Sequence, residues 1–328
     1  MTQYYHPELL LTSPMPMDET EAEVYHWVMD LPEPKLVEEI ERRAVDYAQE
    51  CGAVLLEHFK KPIGVEYKDK HQRDMVTKVD KQVEAQLREA IARDFPGHGI
   101  IGEESEDSSK ELPDFVWVLD PLDGTTNYAN GLPAFGVSIG VLYQRRPIVG
   151  CIFVPVGPNL QGGVFHCRLG AGAFLNGELV SASVPQLPSQ TRIITLPARH
   201  YWQFSFGREL WRSVGEPRTI GSISYELTLA TSGVSQLSIF TAPRIWDVAA
   251  GVLLVREAGG LVLCRGPARR IWAPLEDFTP PKGKALREWR ATIAAGNPET
   301  VRLAAREVHF RSHALWRLRR LLRRVLRL

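Results

Sequence analysis

The sequence predicts a layered protein of helices and sheets, of the α/β or α+β class, on the basis of two patterns. Near the N-terminus apolar residues recur at helical spacing, and from residue 115 onward short β-rich runs alternate with helical stretches. Such alternation is typical of helices packed on sheets. With 44% hydrophobic and 24% charged residues over 328 positions, the chain has the composition of a globular protein with a sizeable core.

The charge balance and the cysteines argue against several classes of protein. With 39 basic and 39 acidic residues, the chain as a whole is not a general polyanion binder, and no DNA partner is expected. The four cysteines, Cys51, Cys151, Cys167 and Cys264, include no C-x-x-C pair, which disfavours a zinc ribbon or a dithiol redox site. Scattered cysteines, no signal-peptide pattern and no apolar run of about 18 residues predict a cytoplasmic protein.

The first predicted elements are an extension and two helices. Residues 1–34 are rich in Pro, Met and acidic residues and are interpreted as an N-terminal extension. Lys35–Lys60 and Lys81–Asp94 carry apolar residues at helical spacing, which predicts two helices packed together. Between them, DMVTKVD (Asp74–Asp80) is a short connection, and Asp80 is in position to cap the second helix.

Strands and helices then follow one another. Strands are predicted in FVWVL (115–119), FGVSIGVLY (135–143), PIVGCIFVP (147–155), GGVFHC (162–167), TRIITLP (191–197), VSQLSIF (234–240), LVLC (261–264) and WRATIAAGN (289–297). Helices are predicted in SYELTLATSG (224–233) and WDVAAGVLLVREAGG (246–260), which ends at a glycine stop. The stretch 170–177 is predicted to be a glycine-rich loop, and 265–288 a surface loop.

The C-terminal segment differs from the rest of the chain. From Arg302 onward it holds nine arginines and one acidic residue. Leu315, Leu318 and Leu322 fall on one helical face, so residues 306–328 are expected to form a basic amphipathic helix. Its role is open between docking on an anionic membrane surface, contact with RNA, and packing against another subunit or domain. The main domain is expected to span residues 35–305.

Carboxylates stand at the ends of several predicted elements. Glu103 and Glu104 follow an apolar pair, Asp120 and Asp123 follow the strand that begins at 115, and Asp247 opens a helix. In layered folds, residues at sheet ends face a shared crevice. Crowded carboxylates repel one another unless a cation neutralises them, and an all-oxygen donor set suits Mg²⁺. Asp120 and Asp123 are well spaced to supply a carboxylate that bridges two ions.

Four motifs, in this order, resemble the inositol monophosphatase family. They are DMVTKVD (74–80), IIGEES (100–105), WVLDPLDGTTNY (117–128) and WDVAAGVLLVREAGG (246–260). The loop GAGAFLNG and the strand ATIAAGNPE fit the same family, and the likeness covers about residues 36–305. The resemblance implies an α+β fold, a layered αβαβα sandwich. It also implies a Mg²⁺-dependent, lithium-sensitive phosphomonoesterase that forms a homodimer.

The resemblance further implies a set of metal ligands. Glu103, Asp120 and the Leu122 carbonyl would bind a first Mg²⁺, and Asp120, Asp123 and Asp247 would bind a second. Glu103 would also help to hold a weaker third ion. Asp123 and Asp247 would in addition border the bound substrate.

Catalytic roles are implied in the same way. Asp74 and Thr125 would orient and deprotonate the attacking water, with Glu103 contributing through its ions. The amides of Gly124 and Thr125 would hold the substrate phosphate. Trp246 is expected to pack and position its neighbouring aspartate. No covalent phosphoenzyme is needed when a metal-activated water attacks phosphorus.

The likeness weakens where the substrate would be selected. Family members that act on inositol phosphate commonly carry an acidic residue about seven positions before the aspartate of the W-D pair. This chain has Phe240 there and Gln236 nearby. Inositol monophosphate or a related polyol or sugar phosphate is therefore predicted, with 3′-phosphoadenosine 5′-phosphate or fructose 1,6-bisphosphate as the alternative. Arg244 either meets a second phosphate or carboxylate or is solvated.

A non-enzymatic protein is the alternative of a different class. Such a protein would keep the fold and act in binding or regulation through its arginine-rich C-terminal segment. The intact set of four carboxylates favours the enzyme, since a degenerate relative would be expected to have lost at least one of them.

Overall fold

The computed structural model describes residues 31–59, 65–67, 75–105, 112–160, 162–182, 187–197, 204–266 and 271–310. The chain divides into two units after Pro34, and the second unit is described below. The helices are α1 (Pro34–His58), α2 (Lys78–Asp94), α3 (Thr125–Ala129), α4 (Arg208–Ser213), α5 (Ile223–Thr231), α6 (Ile245–Glu257) and α7 (Pro298–Glu307). The strands are β1 (Val65–Tyr67), β2 (Met75–Thr77), β3 (Gly99–Gly102), β4 (Phe115–Asp123), β5 (Gly136–Tyr143), β6 (Arg146–Val154), β7 (Gly163–Arg168), β8 (Ala173–Leu175), β9 (Glu178–Val180), β10 (Ile193–Thr195), β11 (Phe204–Phe206), β12 (Pro217–Arg218), β13 (Ser235–Thr241), β14 (Leu261–Arg265), β15 (Ala273–Pro274), β16 (Thr292–Gly296) and β17 (Val308–Phe310).

Helices α1 and α2 form where the spacing of apolar residues predicts them. Ile40 and Ala44 of α1, four residues apart, are fully buried on one stripe. Helix α2 begins earlier than predicted because Thr77 is its N-cap, and the Thr77 side chain accepts hydrogen bonds from the amides of Val79 and Asp80. Asp80 is therefore not the cap. Its carboxylate accepts the Thr77 amide at 2.9 Å and completes a capping box.

The larger sheet has seven strands in the order β3-β4-β5-β6-β7-β8-β9, and β3 runs parallel to β4. Along β4, successive side chains point to opposite faces of the sheet. Trp117 and Leu119 pack with α1 and α2, whereas Val116 and Val118 pack with α5 and α6. The unbroken apolar run FVWVL is thus the mark of a strand that is buried on both faces.

The second sheet has the order β12-β10-β13-β16-β14-β15. Ile293 and Ala295 of β16 face α5 and α6, which lie between the two sheets. Ala294, between them in sequence, faces the other way and packs with Leu210 of α4 and Val301 of α7. The layers therefore alternate as helix, sheet, helix, sheet, helix. This arrangement confirms the predicted α+β class and the αβαβα sandwich.

The structure differs from the prediction in the loop at 265–288 and in the C-terminal boundary of the domain. Residues 265–288 are not only a surface loop, because Leu275 and Phe278 are buried and a 3₁₀ turn forms at Leu286–Glu288. The domain limit predicted at 305 falls inside α7, and β17 extends the domain to Phe310 by pairing with β11.

The predicted basic helix and the chain ends need separate mention. Residues 311–328, which carry most of that helix, lie outside the described residues, as do residues 1–30 of the predicted extension. Among the helices that the structure describes, none is both long and apolar enough to cross a membrane.

Candidate active site

A β-bulge at the end of β4 turns two aspartates to the same side of the sheet. The partners of Asp120 and Asp123 on β5 are Ser138 and Gly136, so three steps along β4 face two steps along β5. In a regular strand, side chains three residues apart point to opposite faces. The extra residue of the bulge removes this difference. Pro121 is tolerated within the bulge because an amide there need not join the ladder.

A glycine turn follows the bulge and leads into α3. Gly124 has a φ of +90°, and a Cβ atom at this position would lie 3.0 Å from the carbonyl oxygen of Ala134. Only glycine meets both conditions without strain. The turn brings the Thr125 hydroxyl to within 3.0 Å of the Leu122 carbonyl oxygen, to which it donates. The carbonyl that was predicted to bind metal is thus fixed beside the two aspartates.

The start of α5 holds Asp123 in place. Its Oδ2 atom accepts hydrogen bonds from the Ser222 hydroxyl at 2.9 Å and from the Ser224 amide at 2.5 Å. Ser222 is also the N-cap of α5. Behind it, the buried Glu226 accepts the Gly221 amide at 3.1 Å. These groups carry no sequence motif, and their only signal in the sequence is a serine at a helix start.

Asp247 and Glu103 approach the same place from other elements. Asp247 is the third residue of α6, and its Oδ2 accepts the Arg244 amide at 2.7 Å. Glu103 directly follows β3. Its amide donates to the carbonyl oxygen of Leu119 at 3.2 Å, which places Glu103 next to Asp120 across the parallel strand pair.

Burial and mutual repulsion change the protonation of these carboxylates. Burial raises the pKa of Asp120 well above its usual range, and the charges of Glu103, Asp123 and Asp247 add to this shift. Burial, then the charges of Asp123 and Glu103, likewise raises the pKa of Asp247. Burial also raises the pKa of Asp123, against hydrogen bonds from Ser224 that lower it. The structure therefore brings the four carboxylates within electrostatic reach of one another.

The arrangement suits a hard divalent cation. All donors are oxygens, and a cation would relieve the repulsion that raises these pKa values. In the part of the chain that the structure describes, no three His, Cys, Asp or Glu side chains already form a closed metal cluster. Some oxygens turn to neighbouring donors instead: Asp120 Oδ1 accepts the Leu122 amide at 3.1 Å, and Asp123 binds Ser222. Each of these bonds uses one carboxylate oxygen, so the second oxygen of each side chain could face a cation.

Another carboxylate, Asp80, lies beside Thr125. Its Oδ1 is 3.4 Å from the Thr125 hydroxyl, and its Oδ2 accepts the amide and the hydroxyl of Thr77. Asp80 is 1% exposed, and burial raises its pKa to about 6, with a further contribution from the charge of Glu104. The family resemblance implies Asp74 as the partner of Thr125, and Asp74 lies outside the described residues. Asp80 is the other aspartate of the same DMVTKVD motif.

Of the positions expected to select the substrate, Phe240 is apolar and buried, and Gln236 forms hydrogen bonds within the protein. Phe240 is 3% exposed and packs in the core between the two sheets. The buried side chain of Gln236 bonds to the main chain of Ser189 at 2.9 and 2.6 Å, so it serves the fold. Arg244 is exposed, with its Cζ 5.7 Å from the ring centre of Trp246. Trp246 itself is 5% exposed, in agreement with its expected packing role.

Comparison with known proteins links this site to one family. Residues 36–311 match the model of the "Inositol monophosphatase family". "Phosphatase IMPL1, chloroplastic" from Arabidopsis thaliana is 34% identical over 226 residues, which is 66% of this chain and 60% of the relative. The match thus spans less than two thirds of the Arabidopsis protein.

Two further proteins are similar over more of their length. "Nus factor SuhB" from Escherichia coli (strain K12) is 33% identical over 264 residues, which is 79% of this chain and 91% of the relative. The solved inositol monophosphatase from Anabaena (Nostoc) sp. PCC 7120 superposes with a TM-score of 0.62 at 29% identity. That superposition covers 82% of this chain and 96% of the Anabaena chain.

Proposed function

The chain belongs to the inositol monophosphatase family and is a phosphomonoesterase, and we propose that it hydrolyses a small phosphomonoester with Mg²⁺ as cofactor. The observation that carries this proposal is the bulge in β4. It turns Asp120 and Asp123 to one face of the sheet, where their charges interact with those of Glu103 and Asp247. These four carboxylates come from three separate segments and lie close together. Their mutual repulsion destabilises the fold unless they bind a cation.

Five groups would hold the metal ions. Glu103, Asp120 and the Leu122 carbonyl oxygen would bind one, and Asp120, Asp123 and Asp247 another, with Glu103 also near a weaker third. Bound Mg²⁺ lowers the pKa of water and stabilises the charge that develops on phosphate and leaving oxygens. The protein supports the site with the hydrogen bonds from the start of α5 and from the bulge, which hold the carboxylates in place despite their repulsion.

Thr125 and Asp80 would position the attacking water. The Thr125 hydroxyl donates to the Leu122 carbonyl oxygen at 3.0 Å, and it would turn to Asp80 Oδ1, 3.4 Å away, when that carbonyl binds a metal ion. A hydroxyl that donates to a carboxylate keeps its lone pairs free to accept a hydrogen bond from water. With a pKa of about 6, Asp80 is ionised at neutral pH and able to take up a proton passed on through Thr125. Asp74, which lies outside the described residues, is proposed for the same role on the strength of the family resemblance. The amides of Gly124 and Thr125 would hold the substrate phosphate.

The proposed substrate is inositol monophosphate or a related polyol or sugar phosphate. Phe240 is packed in the core and has no polar group for a substrate hydroxyl, so we expect weak discrimination among polyols. The exposed Arg244, three residues before Asp247, favours substrates with a second anionic group, such as fructose 1,6-bisphosphate or 3′-phosphoadenosine 5′-phosphate.

Phosphate release from a substrate panel tests the proposal. The panel contains inositol 1-phosphate, fructose 1,6-bisphosphate, histidinol phosphate and 3′-phosphoadenosine 5′-phosphate, each with Mg²⁺, with EDTA, and with Mg²⁺ plus Li⁺. We expect release only with Mg²⁺, inhibition by Li⁺, and loss of release in Asp123→Asn. A folded wild-type protein that matches Asp123→Asn on every substrate would contradict the proposal.

One observation favours a second candidate function. The relative named "Nus factor SuhB" does not carry the name of an enzyme, so a binding or regulatory role is the alternative. Of the predicted contact segment 306–328, residues 306–310 belong to α7 and β17, so residues 311–328 remain proposed for contact, with an anionic membrane surface as one partner. The homodimer remains a prediction. Flotation with anionic vesicles, comparing the full chain with residues 1–310, tests the membrane partner. Light scattering of the full chain tests the dimer.

A further inference from the structure

The side chain of Arg287 forms hydrogen bonds to the loop that carries Glu103. It stands in the 3₁₀ turn Leu286–Glu288, far along the chain from that loop. A guanidinium presents several N–H donors at fixed angles, which an ammonium group does not. The guanidinium of Arg287 donates to the main-chain carbonyl oxygens of Gly102 at 2.7 Å, Glu103 at 3.1 Å and Ser105 at 2.5 Å.

The same guanidinium lies against the residue before Asp247. Its Cζ atom is 4.8 Å from the ring centre of Trp246, which is a cation–π distance. Trp246 is fixed in turn, since it is buried and its carbonyl oxygen accepts the Ser138 hydroxyl at 3.2 Å. One side chain thus joins the segments of two proposed metal ligands, one after β3 and one in α6.

The turn that carries Arg287 is itself anchored. Leu286 is 6% exposed and Trp289 is 4% exposed, so both flanks of the turn are buried. Trp289 packs edge-on against Phe278, with 4.9 Å between the ring centres. Because the backbone of the turn is fixed, binding of the loop by the guanidinium costs the rotamer freedom of one side chain but no further backbone freedom at the turn. Arg287 can therefore hold the loop at a defined distance from Trp246.

We propose that Arg287 is a positioning residue that sets the separation of Glu103 and Asp247 for Mg²⁺ binding. The proposal rests on the metal-dependent function proposed above. It assigns a role at the site to a residue that makes no contact with the reacting atoms and that comes from a segment with no motif of its own.

Charge and positioning have opposite consequences at this residue. A cation beside the site repels Mg²⁺, so electrostatics alone predicts tighter Mg²⁺ binding when the charge of Arg287 is removed. Loss of positioning predicts weaker binding, because Mg²⁺ demands near-ideal octahedral geometry. Ca²⁺ accepts looser geometry with six to eight ligands, so a displaced Glu103 should weaken Mg²⁺ binding more than Ca²⁺ binding.

Titration calorimetry of the full chain with Mg²⁺ and with Ca²⁺ tests the proposal. The variants are Arg287→Met and Arg287→Lys, and the control is Arg302→Met, whose exposed guanidinium pairs with Glu299 on α7. We expect Arg287→Met to bind Mg²⁺ at least about tenfold more weakly and Ca²⁺ less than about threefold more weakly. Arg287→Lys should fall between it and the wild type, and Arg302→Met should match the wild type.

The outcomes separate the proposal from its premise. Unchanged or tighter Mg²⁺ binding by Arg287→Met, or equal weakening of both cations, would overturn the positioning role and leave the proposed function intact. A wild-type chain that binds no Mg²⁺ would overturn the proposed function, and the positioning role with it. Circular dichroism checks the fold of each variant, and Arg287→Lys carries the test where the methionine variant does not fold.

Discussion

Asp80 is one side chain that serves both the fold and the chemistry of this protein. One of its oxygens closes the capping box of α2 with Thr77, and the other faces the hydroxyl of Thr125. It does this while almost fully buried, which raises its pKa to about 6. A buried carboxylate with a shifted pKa beside a hydroxyl is typical of a group kept for catalysis at some cost in stability.

Asp80→Asn should raise stability and abolish activity. In the wild type the folded state keeps this proton between pH 3.8 and about 6, where the unfolded state has already lost it. Stability therefore falls as pH rises through that window and remains lower above it. At about 1.4 kcal/mol per pKa unit, the penalty removed by Asn is about 1–3 kcal/mol at pH 8. Asn also keeps an oxygen that can accept the Thr77 amide.

Urea unfolding in EDTA measures this effect at pH 8 and pH 4.5. We expect Asp80→Asn to raise the free energy of unfolding at pH 8 and to raise it less at pH 4.5. We also expect the variant to lose phosphate release in Mg²⁺. A gain that is the same at both pH values would contradict the assigned pKa. Retained phosphate release would contradict the role of Asp80 beside Thr125.

At the scale of elements, the site depends on how β4 ends. The bulge directs Asp120 and Asp123 to the same face of the sheet. The turn at Gly124 leads the chain from β4 into α3, and the start of α5 supplies the hydrogen-bond donors that hold Asp123. Each of these elements is short, so the position of the carboxylates is sensitive to single residues at the junctions. Two substitutions at these junctions separate effects on the fold from effects on the site.

Gly124→Ala should damage both stability and activity, with Gly97→Ala as its matched control. Both glycines have positive φ, +90° and +101°, so both alanines carry a backbone strain of about 1–2 kcal/mol. Only Gly124 is also crowded, with the Ala134 carbonyl oxygen 3.0 Å from the added Cβ, while Gly97 has nothing within 4 Å. We expect Gly124→Ala to lower the free energy of unfolding in urea more than Gly97→Ala does. We expect only Gly124→Ala to lose phosphate release. Equal effects of the two changes would argue against a special role for this turn.

Ser222→Ala should weaken Mg²⁺ binding, with Asn297→Ala as its matched control. Both residues are N-caps, of α5 and α7, so each change should cost about 1 kcal/mol of unfolding free energy. Only Ser222 also holds Asp123. Calorimetry should therefore show weaker Mg²⁺ binding for Ser222→Ala and wild-type binding for Asn297→Ala. Wild-type Mg²⁺ binding by both variants would mean that the Ser222 contact does not support the site.

At the scale of the whole domain, the site lies where three layers meet. Asp80 comes from the outer helices, Glu103, Asp120 and Asp123 from the larger sheet and its edge, and Asp247 from the helices between the sheets. Repulsion among these carboxylates opposes the packing of the layers, and bound cations would support it. The stability of the whole domain should therefore depend on the metal.

Mg²⁺ should raise the melting temperature of the full chain relative to EDTA. At a free Mg²⁺ concentration of about 100 times the dissociation constant, binding adds about 2.7 kcal/mol to the free energy of unfolding. Asp120→Asn should melt higher than the wild type in EDTA, because it removes a buried charge whose pKa is strongly raised, and it should lose the shift with Mg²⁺. Scanning calorimetry in the two conditions measures both effects. An equal Mg²⁺ shift in the variant would place the ion elsewhere.

The sequence by itself determined the layered α+β class, the helices and strands of most of the domain, and the carboxylates that stand at their ends. These features were readable because apolar spacing and element-end motifs are properties of neighbouring residues. The motifs also carried the likeness to the family that the comparison establishes.

Only the tertiary structure decided which groups meet through space. The sequence placed Asp120 and Asp123 in one site, but it did not indicate the bulge that brings them to one face, since a spacing of three along a regular strand predicts opposite faces. It did not predict that Asp80 lies beside Thr125, because the start of α2 and the turn before α3 belong to separate segments. Nor did it reveal Arg287, whose carbonyl partners in the Glu103 loop lie about 180 residues away along the chain. Contacts between distant segments depend on how the layers pack, and local pattern does not encode that packing.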